Sequence, residues 1–583
     1  MSAQVTESLT MQREVALNPG NAPALARWAL FLRGQSATAM ALRLIRRSAC
    51  LSARDPVYST AWADLLFESG DFEASALAYC RAIAIQPTDQ NTLSNFCVAL
   101  VRSGRGFQAL AFLRRVAWIA PALPRSWAHL AHVLFSRNLF EESFSAFSSA
   151  VALDPSDANS WNGLASSSYE LRKSLSAERY ATLAIHLAPH DVANWSARGT
   201  VRHRLGWLDA AMDDLTRAVE ADPLSGKAAY NRGRLLLDFL RVDESIESYS
   251  RSLVCEPSNP EYVWALSFAY FIVDDYQRAW SMYEKRLHKL LPLTNSSSGG
   301  STPLGGVSPR FTPLRDADSR VLVWGEQGVG DEVMFGSMLR EFRGHCGRML
   351  VQMDKRLIPL FRRSLPSDVE FYERGTVVPE DRYDSHIPIG SLGLHLRPSR
   401  ESFEGHRGAY LKADEDRVRS LRASFGLAEG ERLIGVSWRS SNPETGAGRS
   451  LPLWELAQVL GGEGRRLVNL QYGEVQQEIT EALERAGVVV EQVPGLDCQN
   501  DLDGLAALIG ACDEVVSIGN ATAHLAGALG QKTTVLLPYS PSWRWMAEGD
   551  QSPWYQSVRL MRQVERGDWS SVLQAVKYVA CRE

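Results

Sequence analysis

The residues best suited to chemistry begin at a glycine-rich turn in the second half of the chain, where residues 324–335 read WGEQGVGDEVMF. An apolar run that ends at Trp324 predicts a strand, and Gly328 and Gly330 predict a turn into a helix that begins near Asp331. A carboxylate at the end of a parallel strand lies where open α/β sheets bind ligands, and it can accept a hydroxyl proton as a general base. An aspartate that only caps a helix is the structural alternative.

Two arginines near the end of another predicted strand form the second candidate. Arg439 follows an apolar run, and Arg449 lies ten residues further along the chain. Two guanidinium groups at a strand end can hold a diphosphate through bidentate, charge-assisted hydrogen bonds. Gln471, at the end of the predicted strand 467–471, is a further candidate for the same donor site. A pair of solvated loop arginines is the alternative.

Residues 515–530, VVSIGNATAHLAGALG, predict a strand, a turn of small polar residues and a helix. The first turn of such a helix offers backbone N–H groups that favour a phosphate. Asn520 and Thr522 add side-chain donors, and His524 adds a hydrogen bond from the first turn. A histidine whose hydrogen bonds are satisfied within the fold is the alternative for His524.

An aromatic loop follows, in which Trp543-Arg-Trp545 precedes Ser552-Pro-Trp-Tyr555. Aromatic faces can stack on a base or a sugar, and a packed lid is the alternative role.

Alternating strands and helices must position these four segments. Strands alternating with helices predict parallel sheets of the doubly wound type, in two Rossmann-like halves at about residues 320–428 and 429–583. The predicted strands are 321–324, 349–353, 433–438, 467–471, 514–518 and 533–537.

The first half of the chain has a different pattern, a repeat of 34 residues. Six prolines share this spacing, a small or modest residue stands five positions before each of them, and a tryptophan stands six positions after three of them. The small residue lets two helices approach, the aromatic ring fills the space between them, and proline ends the second helix. The prolines are Pro87, Pro121, Pro155, Pro189, Pro223 and Pro257, the small residues are Ala82, Val116, Ala150, Ala184, Ala218 and Ser252, and the tryptophans are Trp127, Trp161 and Trp195.

This pattern resembles the tetratricopeptide repeat (TPR) family. It predicts an α-solenoid over residues 22–292, with one degenerate and seven regular repeats, after an N-terminal extension at residues 1–21. Residues 293–319 are rich in Ser, Gly, Pro and Thr and predict a linker. A groove for a protein partner is the usual use of such a solenoid, and a scaffold that only spaces other parts is the alternative.

Composition excludes several classes of function. The chain has 583 residues, 45% of them hydrophobic, and a formal net charge of -5, which gives no argument for a nucleic-acid partner. A signal peptide and an apolar run long enough to span a membrane are both missing, so we expect a cytoplasmic protein. Eight scattered cysteines without a Cys-x-x-Cys pair predict reduced thiols, and the three Asp-x-Asp pairs fit helix caps or the linker better than a metal site.

The four segments of the second half resemble the GT-B glycosyltransferases, specifically the heptosyltransferase-like domains of glycosyltransferase family 9. The resemblance implies an inverting, metal-independent transferase in which Asp331 is the base. It implies that Asn520, Thr522 and His524 bind the donor phosphate, with Arg439 as a further phosphate contact. One departure is Gly519, which stands where the family has aspartate, and it puts the donor sugar or the level of activity in doubt.

The combination of both parts resembles bacterial flagellin glycosyltransferases, which modify flagellin in the cytoplasm before export. It implies transfer of a sugar from a nucleotide-sugar donor to Ser or Thr hydroxyls of a protein held by the TPR groove. Flagellin is the first candidate acceptor, and a CMP-linked nonulosonic acid is one candidate donor; no other cofactor is expected. A transferase that builds lipopolysaccharide or another glycan, and a TPR adaptor with an inactive transferase-like domain, are the alternatives.

Overall fold

The computed structural model describes residues 2–35, 37–86, 89–119, 121–290, 318–442 and 446–580. The chain forms two compact units, Met1–Pro223 and Leu224–Glu583. Pro87 of the repeat pattern and residues 293–317 of the predicted linker lie outside the described residues.

The first unit is helical throughout its described residues. After the first helix, the helices pack in consecutive antiparallel pairs, α2 with α3 through α12 with α13. The helices are α1 (Ser2–Leu17), α2 (Ala22–Gly34), α3 (Thr38–Leu51), α4 (Pro56–Glu68), α5 (Phe72–Ile85), α6 (Gln90–Arg102), α7 (Gly106–Ile119), α8 (Pro124–Ser136), α9 (Phe140–Leu153), α10 (Ala158–Glu170), α11 (Ser174–Leu187), α12 (Val192–Arg204) and α13 (Leu208–Ala221).

The repeated residues have the positions that the 34-residue pattern predicts. Ala150 and Ala184 are buried between paired helices. The indole N–H of Trp161 donates to the carbonyl oxygen of Pro155 at 2.9 Å, and the other two tryptophans make the same bond to their own prolines. Asp157 caps α10 by accepting from the backbone N–H of Asn159 at 3.1 Å. These bonds join each hairpin to the next over a few residues, so the pattern is local enough to be visible in the sequence.

The turn inside each regular hairpin places one residue in the left-handed backbone region. Glycine adopts this conformation without a steric penalty, whereas other residues lose about 1 kcal/mol. The seven residues recur every 34 positions with φ between +56° and +84°, and they are Gly70, Gly104, Asn138, Arg172, Gly206, Leu240 and Asp274.

The last two hairpins belong to the second unit and share a hydrophobic core with the α/β part. Phe271 stacks on Trp543 with ring centroids 4.1 Å apart. Trp280 is buried, and its indole N–H donates to the carbonyl oxygen of Arg397 at 2.8 Å. The helices are α14 (Gly226–Asp238), α15 (Val242–Cys255), α16 (Pro260–Ile272), α17 (Tyr276–Tyr283) and α18 (Leu287–Leu290).

Two parallel sheets form the α/β part. The four-stranded sheet has the order β3-β2-β1-β4, and the six-stranded sheet has the order β10-β9-β8-β5-β6-β7, which is a doubly wound arrangement. The strands are β1 (Arg320–Trp324), β2 (Arg348–Met353), β3 (Glu370–Glu373), β4 (Ser385–Pro388), β5 (Arg432–Ser437), β6 (Arg465–Asn469), β7 (Val490–Glu491), β8 (Glu514–Ile518), β9 (Thr533–Leu537) and β10 (Val558–Arg562).

The six predicted strands are the six interior strands, and the four that the sequence analysis missed are the four sheet edges. Edge strands such as β3 are only half-buried and carry polar side chains, so they lack the continuous apolar run of an interior parallel strand.

The helices of the α/β part connect these parallel strands. Asp414 and Asp501 cap α23 and α26, which agrees with the predicted role of their Asp-x-Asp pairs. No helix within the described residues is long and apolar enough to cross a bilayer. The helices are α19 (Val329–Gly336), α20 (Leu339–Phe342), α21 (Ile358–Ser364), α22 (Leu392–Leu396), α23 (Glu415–Ser424), α24 (Leu453–Leu460), α25 (Gln476–Ala486), α26 (Leu502–Ala511), α27 (Ala521–Ala528) and α28 (Ser570–Ala580).

Candidate functional site

Two of the predicted ligand segments meet where the first turns of α19 and α27 touch. Gly328 is the N-cap of α19. A β-carbon on Gly330 would stand 3.3 Å from Cδ2 of His524 and 3.5 Å from Cα of Ala521, so glycine permits this close approach. Strands β1 and β8, which precede these helices, each lie beside the point where the strand order of their sheet reverses. Doubly wound sheets bind ligands at such switch points.

Asp331 forms an ion pair with an arginine that the sequence analysis did not select. Nε of Arg544 donates to Oδ1 of Asp331 at 2.7 Å, and Nη2 lies 2.5 Å from the same oxygen. The two side chains are 21% and 18% exposed, so a ligand can reach them. The guanidinium also lies 4.9 Å from the ring centroid of Trp543 and donates to Ser542. A half-buried but accessible carboxylate is thus held beside a fixed positive charge.

Glu332 is the neighbouring carboxylate, and burial raises its pKa to about 7. A pKa in that range is typical of a general base. Its two oxygens are already occupied, however, because Oε1 accepts from Arg374 at 2.7 Å and Oε2 accepts from the backbone N–H of Asp354 at 2.8 Å. Glu332 is fully buried against Gly325, so of the two carboxylates only Asp331 is open to a substrate.

A buried hydrogen-bond network organises the end of β5 at the second switch point. The side-chain oxygen of Gln471 accepts from Ser437 Oγ at 3.0 Å and from the backbone N–H groups of Trp438 and Arg439 at 3.1 and 3.0 Å. Asn520 donates to Ser437 Oγ at 2.8 Å and caps α27 through Ala523. Gln471 and Asn520 therefore shape the loops at this point, and both are buried.

The two arginines that the sequence analysis grouped together have different surroundings. Nε of Arg439 donates to Glu478 at 3.0 Å, which holds that side chain against α25. The side chain of Arg449 makes no hydrogen bond or ion pair with any residue that the structure describes. Burial and then the positive charge of Arg544 lower the pKa of Arg449. The arginine whose charge acts on Arg449 is therefore Arg544, whereas the sequence analysis had paired Arg449 with Arg439.

His524 and Thr522 are both buried in the first turn of α27. The His524 ring stacks on Trp545 with centroids 4.6 Å apart, and Nδ1 lies 2.9 Å from the hydroxyl of Tyr555. Burial lowers the pKa of His524 to about 3, so the ring is neutral at pH 7. Thr522 Oγ1 lies 3.5 Å from the carbonyl oxygen of Leu470. These contacts make His524 part of the aromatic packing beneath the site.

Gly519 fits the same packing. A β-carbon at this position would stand 2.7 Å from Nε1 of Trp545 and 3.2 Å from Cδ2 of Leu537. A carboxylate side chain at position 519 would therefore collide with Trp545. The family that the sequence resembles has an aspartate at this position. Here the position is glycine, and the Trp545 indole occupies the space that a side chain at 519 would need.

A cavity of about 170 Å³ lies between the two sheets, next to the same two helices. Val329 and Val333 line it from α19, Thr522 lines it from α27, and Tyr472 adds an aromatic wall. Residues two apart on a helix point in nearly opposite directions, so Asp331 faces away from this cavity. The mostly apolar lining with a few polar groups is typical of a small-molecule pocket.

The sequence analysis thus selected Asp331 but missed its partner. Arg544 lies inside the aromatic loop that the analysis assigned to stacking or packing, and 213 residues separate it from Asp331. A charged residue between two tryptophans is the only local signal of its role. No periodicity or spacing predicts which carboxylate it contacts.

Comparison with known proteins supports the helical repeats directly. Residues 196–260 match the tetratricopeptide repeat family. The protein FlbA of Caulobacter vibrioides is 28% identical over 604 aligned residues, which cover 99% of this chain and 92% of that protein. The small glutamine-rich tetratricopeptide repeat-containing protein 2 of Mycosarcoma maydis is 30% identical over 107 residues, or 18% of this chain and 30% of that protein.

Among solved structures, a tetratricopeptide repeat protein from Parabacteroides merdae is 12% identical, with a TM-score of 0.38 over 42% of this chain and 98% of that chain. The family match at residues 196–260 supports the predicted tetratricopeptide solenoid. The alignment with FlbA extends over the repeats and the α/β part together.

Proposed function

We propose that this protein is a glycosyltransferase that moves a sugar from a nucleotide-sugar donor to Ser or Thr hydroxyls of a protein recruited by the repeats. One observation carries the proposal: the accessible ion pair of Asp331 and Arg544 lies at the meeting point of two helix N-termini, beside the switch points of two parallel sheets. A transfer from a sugar phosphate needs a base and an anion-binding group at one place.

In this proposal Asp331 accepts the proton of the acceptor hydroxyl as its oxygen attacks the anomeric carbon. The bond between that carbon and the phosphate oxygen breaks, and the configuration at the carbon inverts. Arg449 and Arg544 stabilise the negative charge of the leaving phosphate, together with the N-terminus of α27. As negative charge develops on the leaving phosphate, Arg544 turns to it from Asp331, so that the carboxylate takes the proton in the same step.

The repeats favour a protein as the acceptor. Tetratricopeptide arrays present extended surfaces for protein segments, and a small acceptor needs no such array. Flagellin is the first candidate and a CMP-linked nonulosonic acid is a candidate donor, both from the resemblance of the sequence to flagellin glycosyltransferases. The relative FlbA supports the view that the two parts function together, because its alignment includes both.

Intact-mass analysis of flagellin tests the proposal. Flagellin is co-expressed with the enzymes that make the donor sugar and with one of three forms of this protein: the wild type, the Asp331→Asn variant or the Asp416→Asn variant. Asp416 is a matched control, because it also lies in the first turn of a helix and pairs with an arginine, yet its side chain is 89% exposed. We expect a sugar-sized mass increment with the wild type and the control, and its loss with Asp331→Asn. A wild type that adds no mass removes flagellin as the acceptor.

Truncation separates a protein acceptor from a glycan acceptor. The cut must follow Pro223, because α16 and α17 belong to the core of the α/β unit and a cut at residue 290 would remove them. A folded 224–583 fragment that still glycosylates a glycan would favour the glycan-building alternative. A fragment that cleaves the donor but transfers the sugar to no acceptor would favour a protein acceptor that the repeats recruit. A full chain that binds a protein partner but does not cleave the donor would favour the TPR adaptor with an inactive transferase-like domain.

A further inference from the structure

We infer that Tyr283 and Gln327 are positioning residues for Arg544 and Asp331, so that the last repeat hairpin forms part of the catalytic site. This inference rests on the proposed function, because it explains how the base of that site is held. Tyr283 is the last residue of α17, and Gln327 lies in the glycine-rich turn after β1. The repeats would then supply a group to the chemistry as well as recruit the acceptor.

A continuous chain of hydrogen bonds connects the hairpin to the base. Nε2 of Gln327 donates to the hydroxyl of Tyr283 at 2.7 Å. Oε1 of Gln327 accepts from Nη2 of Arg544 at 3.4 Å, and Arg544 donates to Asp331. The Arg544 guanidinium can only donate, so it fixes Oε1 of Gln327 toward itself and leaves Nε2 to donate to the Tyr283 hydroxyl. With the amide reversed, two donor groups would face each other.

Both ends of this chain are held rigidly. Tyr283 is 1% exposed, and its ring centroid lies 5.7 Å from those of Phe271, Trp280 and Trp543. The backbone carbonyl of Gln327 accepts from Arg374 at 3.1 Å. The Tyr283 ring therefore cannot move without disturbing the core, and the Gln327 backbone is anchored in the turn.

The backbone at this site is also strained. Gln327 has φ of +61°, and Met546, two residues after Arg544, has φ of +59°. In the described part of the α/β region, residues 318–442 and 446–580, these are the only two non-glycine residues with positive φ. Such strain costs about 1 kcal/mol or more per residue and persists where the surrounding structure enforces it, typically at functional sites. Its occurrence on both sides of the Asp331–Arg544 pair favours a positioning role over ordinary packing.

Kinetics of the full-length Tyr283→Phe variant test the inference. The substitution removes one hydroxyl and keeps the buried ring. With CMP-linked nonulosonic acid and flagellin, we expect kcat to fall about tenfold while the donor KM changes less than twofold, because Asp331 and Arg544 act in the transition state, on the moving proton and on the charge that develops on the leaving phosphate. Tyr249→Phe is the control, since Tyr249 is equally buried in the same core and lies outside the hydrogen-bond chain. Equal kcat values for the two variants would overturn the inference.

A measurement without substrate keeps this test separate from the proposed function. In the full chain labelled with ¹⁵N-arginine, the Nε–H signal of Arg544 is identified by its loss in Arg544→Lys. We expect this hydrogen to exchange with water at least fivefold faster in Tyr283→Phe than in the wild type or in Tyr249→Phe. Unchanged exchange would refute the positioning role even if flagellin is glycosylated. Faster exchange in a protein that transfers no sugar would support the positioning and count against the transferase.

Discussion

Replacing Arg286 with methionine should loosen the last repeat hairpin from the α/β domain. The Arg286 side chain is 2% exposed and the Glu326 side chain is fully buried. Nε and Nη2 of Arg286 donate to the two carboxylate oxygens of Glu326 at 2.8 and 2.5 Å, and Nη2 also donates to Ser391 at 2.9 Å. Arg286 follows α17, and Glu326 precedes Gln327, so this pair fastens the hairpin to the turn that carries the candidate site.

The loss of stability in Arg286→Met depends on the groups that the substitution leaves without a partner. Methionine fills most of the arginine volume but leaves the Glu326 carboxylate buried beside only the backbone N–H of Gly390. Removing one member of a buried ion pair costs about 3–5 kcal/mol, because the remaining charge is uncompensated. Replacing both members by Arg286→Met with Glu326→Gln removes that charge as well. The double variant should therefore lose about 2 kcal/mol less than the sum of the two single variants.

Hydrogen exchange of the full chain measures this effect locally, which suits a protein with two compact units. Peptides that cover residues 276–290 should exchange about a hundredfold to several thousandfold faster in Arg286→Met. Arg278→Met is the matched control on α17, since Arg278 is 62% exposed in its pair with Asp275. A surface pair of this kind contributes about 1 kcal/mol or less.

Two results would refute this reasoning. If Arg286→Met accelerated exchange no more than Arg278→Met, the buried pair would not hold the hairpin. If the effects of the single variants simply added in the double variant, Arg286 and Glu326 would not act as a coupled pair.

Three further predictions concern stability. Leu240→Gly should raise the free energy of unfolding in urea by about 1 kcal/mol and Gly206→Ala should lower it by a similar amount, because both lie in left-handed turns; effects of the opposite sign would contradict the strain argument. Gly519→Asp should lower the melting temperature through a loss of about 1–3 kcal/mol, and a smaller loss from the same change in a Trp545→Ala background would identify the collision. His524→Gln should reduce the fall in the free energy of unfolding between pH 6.5 and pH 3. Burial lowers the pKa of His524 to about 3, so in that window only the unfolded chain binds a proton at this residue. If urea titrations gave the same slope of unfolding free energy against pH for both proteins, His524 would not titrate this way.

Local patterns account for much of the fold. A 34-residue period predicts the repeats because the connections between successive hairpins are held by nearby contacts, such as the bond from Trp161 to Pro155. Apolar runs predict the six interior strands because parallel strands are buried on both faces, and they miss the partly exposed edge strands such as β3. Gly330 likewise indicates a close backbone approach, which the contact between α19 and α27 provides.

The arrangement of charges around the site depended on the tertiary structure. The sequence by itself placed Asp331 at a strand end and put Arg439 beside Arg449, but packing turns Arg439 to Glu478 and brings Arg544 to Asp331 from 213 residues away. Hydrophobic periodicity specifies which face of an element is buried, because burial acts on a local pattern. A guanidinium and a carboxylate meet only after separate elements have packed. Contacts between distant parts of the chain therefore decide their pairing, and they also decide that the last repeat hairpin lies beside the site.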